Sequence, residues 1–126
     1  VPYVGQTTMI GNFSDLHKKA EKAIYTEGAA FLNIMTPCPR GWRYDTADIM
    51  KICKLAVETC YWPMFEVEHG KWRLTYEPKK KLPIEDFLRE QGRFKHLFKP
   101  GNEDLIAQFQ DEGDRRWEEL QYKCAR

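Results

Sequence analysis

The run of apolar and polar positions assigns most elements before any composition is counted. Residues 3–8, "YVGQTT", are β-branched and aromatic enough for a short strand. "GNFSD" supplies turn residues, with Asn12 or Ser14 as the cap of the helix that follows. In that helix Leu16, Ala20, Ala23 and Ile24 recur at helical spacing, while Lys18, Lys19, Glu21 and Lys22 form the opposite, polar face; Gly28 is the expected stop. "AAFLNIM", residues 29–35, is an almost unbroken apolar run and reads as a strand buried on both faces, as a parallel sheet demands. Strand, helix and strand make a β-α-β unit.

The pattern breaks at "TPCPRGW", residues 36–42, where Cys38 stands between two prolines. Fixed φ angles and missing N–H donors argue against helix or inner strand there. Asp45 then caps a second helix, with Asp48 near its positive end and Ile49, Ile52, Cys53, Ala56 and Cys60 along one stripe. "PMFEVEHGKWRLTYEP" alternates on either side of His69-Gly70 and predicts a hairpin. Pro83 starts a helix that turns Ile84, Phe87 and Leu88 inward, and "KPGNED" interrupts the chain. Residues 103–123 form a last amphipathic helix with Leu105, Ile106, Phe109, Trp117 and Leu120.

The fold class expected is α/β, a parallel sheet flanked by helices over residues 1–62. A smaller α+β part with the hairpin and helices follows over 63–126. Two parallel strands alone do not make a stable sheet. Neighbouring strands are therefore expected from residues before Val1 or from another chain. "VPYVGQ" starts in strand-like sequence without an initiator methionine, which points to a piece of a longer chain.

Composition narrows the function classes. The 126 residues have the length of one domain, and 31% charged with 42% hydrophobic residues is the balance of a soluble globular protein. A net charge of +1 makes no case for nucleic acid or a membrane surface, and the lysine run 79–81 reads as solvated loop. No apolar run approaches the roughly 20 residues of a membrane span, and nothing reads as a signal peptide. Four cysteines without a CxxC pair argue against a disulfide framework and for a reducing, cytoplasmic setting.

Topology makes Cys38 the candidate for chemistry. The carboxyl ends of both strands in a β-α-β unit share one edge of the sheet, where ligands of open α/β sheets bind. Gln6-Thr7-Thr8 and the loop 36–42 both emerge there. Cys53 and Cys60, about 10 Å apart along one helix, cannot share a metal ion or a disulfide and read as small core residues. Cys124, near the terminus, is assigned no chemistry. His17, His69 and His96 have no metal-ligand spacing, and Trp62, Trp72 and Trp117 read as packing residues. Position alone leaves Cys38 as ligand or as nucleophile. Cys38, Gly41 and Arg43 form a C-x-x-G-x-R arrangement similar to the loop of rhodanese-type sulfurtransferases. Pro39 lacks one N–H that such a cradle uses, and Asp45 would repel the anion. A non-catalytic interaction module that docks through an open sheet edge is the other alternative.

At this loop a family likeness enters. "YVGQTT", a basic helix, "EGAAFLNIMTPCPRGWRYD", "KLAVETCYWPMFEVEHGKWRLTY" and "FLREQGRFKHL" follow in order. Together they resemble the carboxyl-terminal part of the thiamine-diphosphate-binding beta subunit of pyruvate:ferredoxin oxidoreductases and related 2-oxoacid:ferredoxin oxidoreductases. The resemblance implies the carboxyl-terminal portion of a thiamine-diphosphate-binding fold. It also implies coenzyme A-dependent oxidative decarboxylation of a 2-oxoacid, pyruvate being the expected one, with electrons passed through 4Fe–4S clusters to ferredoxin. Implied cofactors are thiamine diphosphate, Mg2+ and a 4Fe–4S cluster; implied partners are alpha, gamma and delta subunits. Cys38 maps onto the fourth ligand of the cluster nearest thiamine diphosphate. Arg40 and Trp42 are expected to shape the loop or simply pack; Arg93 and His96 carry no assigned role. The family's Gly-Asp-Gly motif and its other three cluster cysteines do not occur in this sequence. The fragment alone is therefore expected to bind neither cofactor and to be inactive.

Overall fold

Four strands form one mixed sheet, in the order β2-β1-β3-β4, in the computed structural model, which describes residues 1–10 and 13–126. Strand β1 (Tyr3–Thr8) runs parallel to β2 (Ala30–Met35), with Tyr3 opposite Ala30 and Thr8 opposite Met35. On its other side β1 pairs antiparallel with β3 (Phe65–Glu68), which turns into β4 (Lys71–Leu74). The turn lies at His69 (φ 48°) and Gly70 (φ 82°), the pair of positive φ angles that lets a two-residue turn follow strand twist.

This pairing corrects two expectations. The neighbour that the parallel pair needs comes, on the β1 side, from the chain's own hairpin. And β2 is an edge strand rather than a doubly covered one: Phe31 is 57% and Ile34 41% exposed, while Met35 is buried. Its apolar composition suits burial on both faces, but among the described residues no strand pairs with its outer edge.

Helix α1 (Ser14–Tyr25) covers one face of the sheet. Its N-cap position is Phe13, left-handed at φ 62°; Asn12, one of the two caps expected, lies outside the described residues. The polar face assigned to α1 is not wholly polar in its surroundings. Lys19 is 1% exposed, its Nζ donating to Asp15 Oδ2 (2.6 Å), Gln6 O (2.7 Å) and Thr75 Oγ1 (2.7 Å). Gly5 makes room for it, since a Cβ there would meet Leu32 and the Tyr3 hydroxyl at 3.1 Å and the Lys19 stem at 3.4 Å. Ile24, expected inward, is instead exposed. An ammonium with three acceptors tolerates burial.

The apolar core lies elsewhere, beneath the Cys38 loop. It joins α3 (Ile49–Glu58), α4 (Ile84–Arg89), a 3-10 segment (Gly92–Phe98) and α5 (Glu103–Cys124) around Ile52, Cys53, Ala56, Ile84, Phe87, Leu88 and Leu97. Each fully buried Ile, Leu or Phe side chain here contributes about 1.5–3 kcal/mol. Tyr61 lies tilted against Phe87 with ring centroids 4.5 Å apart, and Phe109 of α5 stacks on Tyr61 and meets Phe94 edge-on. The first N–H of α4, Ile84 N, donates to Gln110 Oε1 of α5 at 2.7 Å, a cap supplied from another helix. Leu105, expected inward on α5, is 44% exposed. Cys60 is not on α3 as its spacing suggested: the helix ends at Glu58, and Cys60 follows in a left-handed conformation (φ 61°) while staying buried. No helix among the described residues is long and apolar enough to cross a membrane.

Candidate functional site

The carboxyl ends of β1 and β2 are tied together before the loop begins. Thr8 Oγ1 donates to Met35 O at 2.7 Å, and Thr7 Oγ1 to Asp15 Oδ2 at 2.7 Å. Trp62 Nε1 reaches back to Thr7 O at 2.9 Å. Pro37 is buried directly after β2, and the next residue, Cys38, turns outward.

Contrary to the expectation from its prolines, the loop contains a single helical turn, α2 (Pro39–Trp42). Proline is at home at a first helical position, where its missing N–H has no partner to lose and its φ is already set. Cys38 is the N-cap, and its Sγ accepts the N–H of Gly41 at 3.4 Å. Trp42 N donates to Cys38 O at 2.8 Å, and Arg43 ends the turn in a left-handed conformation (φ 59°). Asp45 also caps, but a 3-10 turn (Thr46–Asp48) rather than the helix itself: its Oδ1 accepts from Ala47 N at 3.0 Å. That carboxylate is engaged with a backbone donor ahead of α3.

Of the four cysteines Cys38 alone is exposed. Cys53 lies beneath, its Sγ 3.6 Å from Thr8 Oγ1, and burial pushes its thiol pKa up. Burial likewise raises Cys60, to about 11, and Cys124. The three other thiols are thus held away from the thiolate form that binds metal. Among the described residues no group of three or more His, Cys, Asp or Glu side chains is placed to hold a metal ion.

Residues 91–94 grip the loop from below. Gly92 N donates to Arg43 O at 2.8 Å, and a Cβ on Gly92 would come within 2.7 Å of Arg43 Cβ, so only glycine fits. The Arg93 guanidinium lies 3.8 Å from the Trp42 ring centroid, and Trp42 meets Phe87 edge-on at 6.3 Å. Arg40 and His96 are both exposed. The Tyr44 hydroxyl is buried without a hydrogen-bond partner, and its pKa is raised by burial first and then by the nearby Cys53 and Cys38. Sequence reasoning singled out Cys38 as a candidate and did not anticipate this support. "QGRF" carries no one-dimensional sign that its arginine faces a tryptophan some fifty positions earlier.

Two cavities lie away from Cys38. One, of about 470 Å3, is lined by Lys18, Lys19, Lys22, Lys54, Glu66 and Arg73. The other, of about 580 Å3, is aromatic and lies between α5 and the sheet, against Trp62, Phe65, Trp72 and Trp117.

Sequence comparison fits this architecture to a class. The chain is 42% identical over 115 residues to the pyruvate synthase subunit PorB of Thermotoga maritima, a match spanning 90% of the chain and 36% of that subunit. It is 44% identical over 110 residues to PorB of Methanosarcina barkeri, covering 86% of the chain and 37% of the subunit. To the ketoisovalerate oxidoreductase subunit VorB of Pyrococcus furiosus it is 40% identical over 117 residues, covering 91% of the chain and 37% of the subunit. No family model matches. The likeness runs along nearly the whole of this α/β chain. The chain belongs with the PorB and VorB subunits that it matches, and it spans a little over a third of their length.

Proposed function

We propose that this chain forms part of a PorB-type subunit of a 2-oxoacid:ferredoxin oxidoreductase acting on pyruvate. In this reading Cys38 donates one thiolate to a 4Fe–4S cluster. The observation that carries it is the placement of Cys38, an exposed free thiol on a rigid turn at the carboxyl edge of the β1-β2 pair, in a chain of this family. When bound, thiamine diphosphate with Mg2+ supplies the carbanion chemistry of 2-oxoacid decarboxylation, and the cluster carries the electrons towards ferredoxin while coenzyme A takes the acyl group.

The residues present fit a single cluster ligand. The Gly41 N–H directed at Cys38 Sγ stabilises negative charge on sulfur, and N–H···S bonds help set a cluster's potential. Pro39 and the Trp42 N–H bond to Cys38 O keep the turn from rotating the thiol away. The remaining ligands come from the part of such a subunit that this chain does not span. Among the described residues no group of three or more His, Cys, Asp or Glu side chains is placed to hold Mg2+, so thiamine diphosphate and its metal rest on the part of the subunit outside this chain. The alpha, gamma and delta subunits and ferredoxin are the partners this role requires, and an exposed free thiol suits a reducing, cytoplasmic setting.

A chimaera tests the reading: the Thermotoga maritima subunit with its matching 36% replaced by this chain, assembled with its own partner subunits. Coenzyme A-dependent reduction of ferredoxin by pyruvate, faster than by ketoisovalerate, is expected. An assembled, cofactor-loaded chimaera inert with pyruvate would contradict it.

A further inference from the structure

Arg93 is half-buried and has no carboxylate partner among the described residues. Its Nε donates to Gln91 Oε1 at 2.7 Å, and the buried Gln91 is fixed in turn by its Nε2 bond to Phe87 O at 2.7 Å. The guanidinium plane faces two rings, Trp42 at 3.8 Å and Phe94 at 4.5 Å, and its Nη2 is buried without a hydrogen-bond partner. Burial pulls the Arg93 pKa down, yet a guanidinium stays charged at neutral pH. A bulky apolar residue could fill this space without the desolvation penalty of a cation. What the cation adds is a directional hold on an aromatic face, strongest for tryptophan and stronger where water is excluded.

We propose that Arg93 is the positioning residue of the Cys38 turn, locking Trp42 against Phe87 and so fixing where the thiol points. Trp42 has two ring-directed neighbours, the Arg93 guanidinium at 3.8 Å and the Phe87 ring in a T-shaped contact at 6.3 Å. Because Trp42 N donates to Cys38 O, the ring and the thiol belong to the same turn and move together. Gly92 adds a second grip on the following residue through its bond to Arg43 O. The functional meaning rests on Cys38 being a cluster ligand; the geometry of the clamp does not.

Amide hydrogen exchange of the 126-residue chain, resolved by residue, tests the clamp in R93M, R93K and W42F variants. R93M should speed exchange at Gly41, Trp42 and Gly92 by tenfold or more while leaving β1 and α3 amides unchanged. R93K, which keeps a cation for the ring, should restore at least half of the protection on a logarithmic scale. W42F should show a smaller loss than R93M. The Cys38 thiol should react several-fold faster with a small aromatic disulfide in R93M than in R93K. If R93M does not fold, R93K against W42F carries the test. Uniform acceleration across the chain, or unchanged exchange at Gly41 and Trp42, would overturn the proposal. Neither result touches the ligand reading, which depends on replacing Cys38 itself.

Discussion

Between α1 and the sheet the buried groups are charged; beneath the Cys38 turn they are almost all apolar. On the first side Glu66, 1% exposed, accepts from Tyr3 Oη and Lys22 Nζ at 2.7 Å each and from Arg73, with buried Lys19 alongside. On the second, Phe87, Ile52, Leu88 and Ile84 fill the space with Tyr61 and Phe94 around them. The contrast teaches that the two halves respond to different variables. The charged layer depends on pH and on every partner being present, because breaking one bond strands the rest. The apolar layer depends on volume and shape. The candidate site stands on the apolar layer, with the Arg93 guanidinium set against Trp42, so its geometry should outlast conditions that loosen α1.

The largest expected effect is F87A. Phe87 touches Trp42, Tyr61 and the rest of the core, and its loss should cost about 3–5 kcal/mol at any pH, read from the denaturant midpoint. E66Q should cost about 1–3 kcal/mol near neutrality, since the buried acceptor of Tyr3, Lys22 and Arg73 loses its charge while the two cations stay partly solvated. Burial alone would raise the Glu66 pKa, but bonds from Lys22, Tyr3 and Arg73 outweigh it and lower the group from 4.5 to about 2. The folded state therefore takes up this proton at lower pH than the unfolded chain. The stability Glu66 supplies is present above about pH 4.5 and is lost as pH falls towards 2. Titration of stability through that window should bring wild type and E66Q together while the F87A difference persists. Failure of the two to converge would erase the distinction between the layers.

G92A sharpens the comparison at the site. A methyl 2.7 Å from Arg43 Cβ forces the loop and the 3-10 segment apart, costing about 1–3 kcal/mol in thermal unfolding. C38S, on an exposed position, should change stability by less than about 0.5 kcal/mol. A larger loss would mean that the thiol is a structural cap rather than a presented ligand.

The apolar layer was legible because its signals are local. Ile84, Phe87 and Leu88 recur at helical spacing after Pro83. The charged layer was not. Lys19 reads as surface in any periodicity count, and only β1, with Gly5 beside the lysine stem, and Thr75, directly after β4, make it an interior residue. β2 was misread for the same reason, since an apolar run reports what could cover a strand and not what does. At the site Cys38 stood out by its prolines and topology. The short helix did not, because proline's penalty inside a helix vanishes at the first turn. Arg93 and Trp42 meet only through the third dimension.

The central claim is that Cys38 is a cluster ligand, and it is tested most directly by the electron paramagnetic resonance spectrum of the reduced chimaeric subunit after anaerobic reconstitution with iron and sulfide. C38S should lose or reshape the 4Fe–4S signal and bind less iron, while C124S keeps both. An unchanged signal and iron content in C38S would contradict the account.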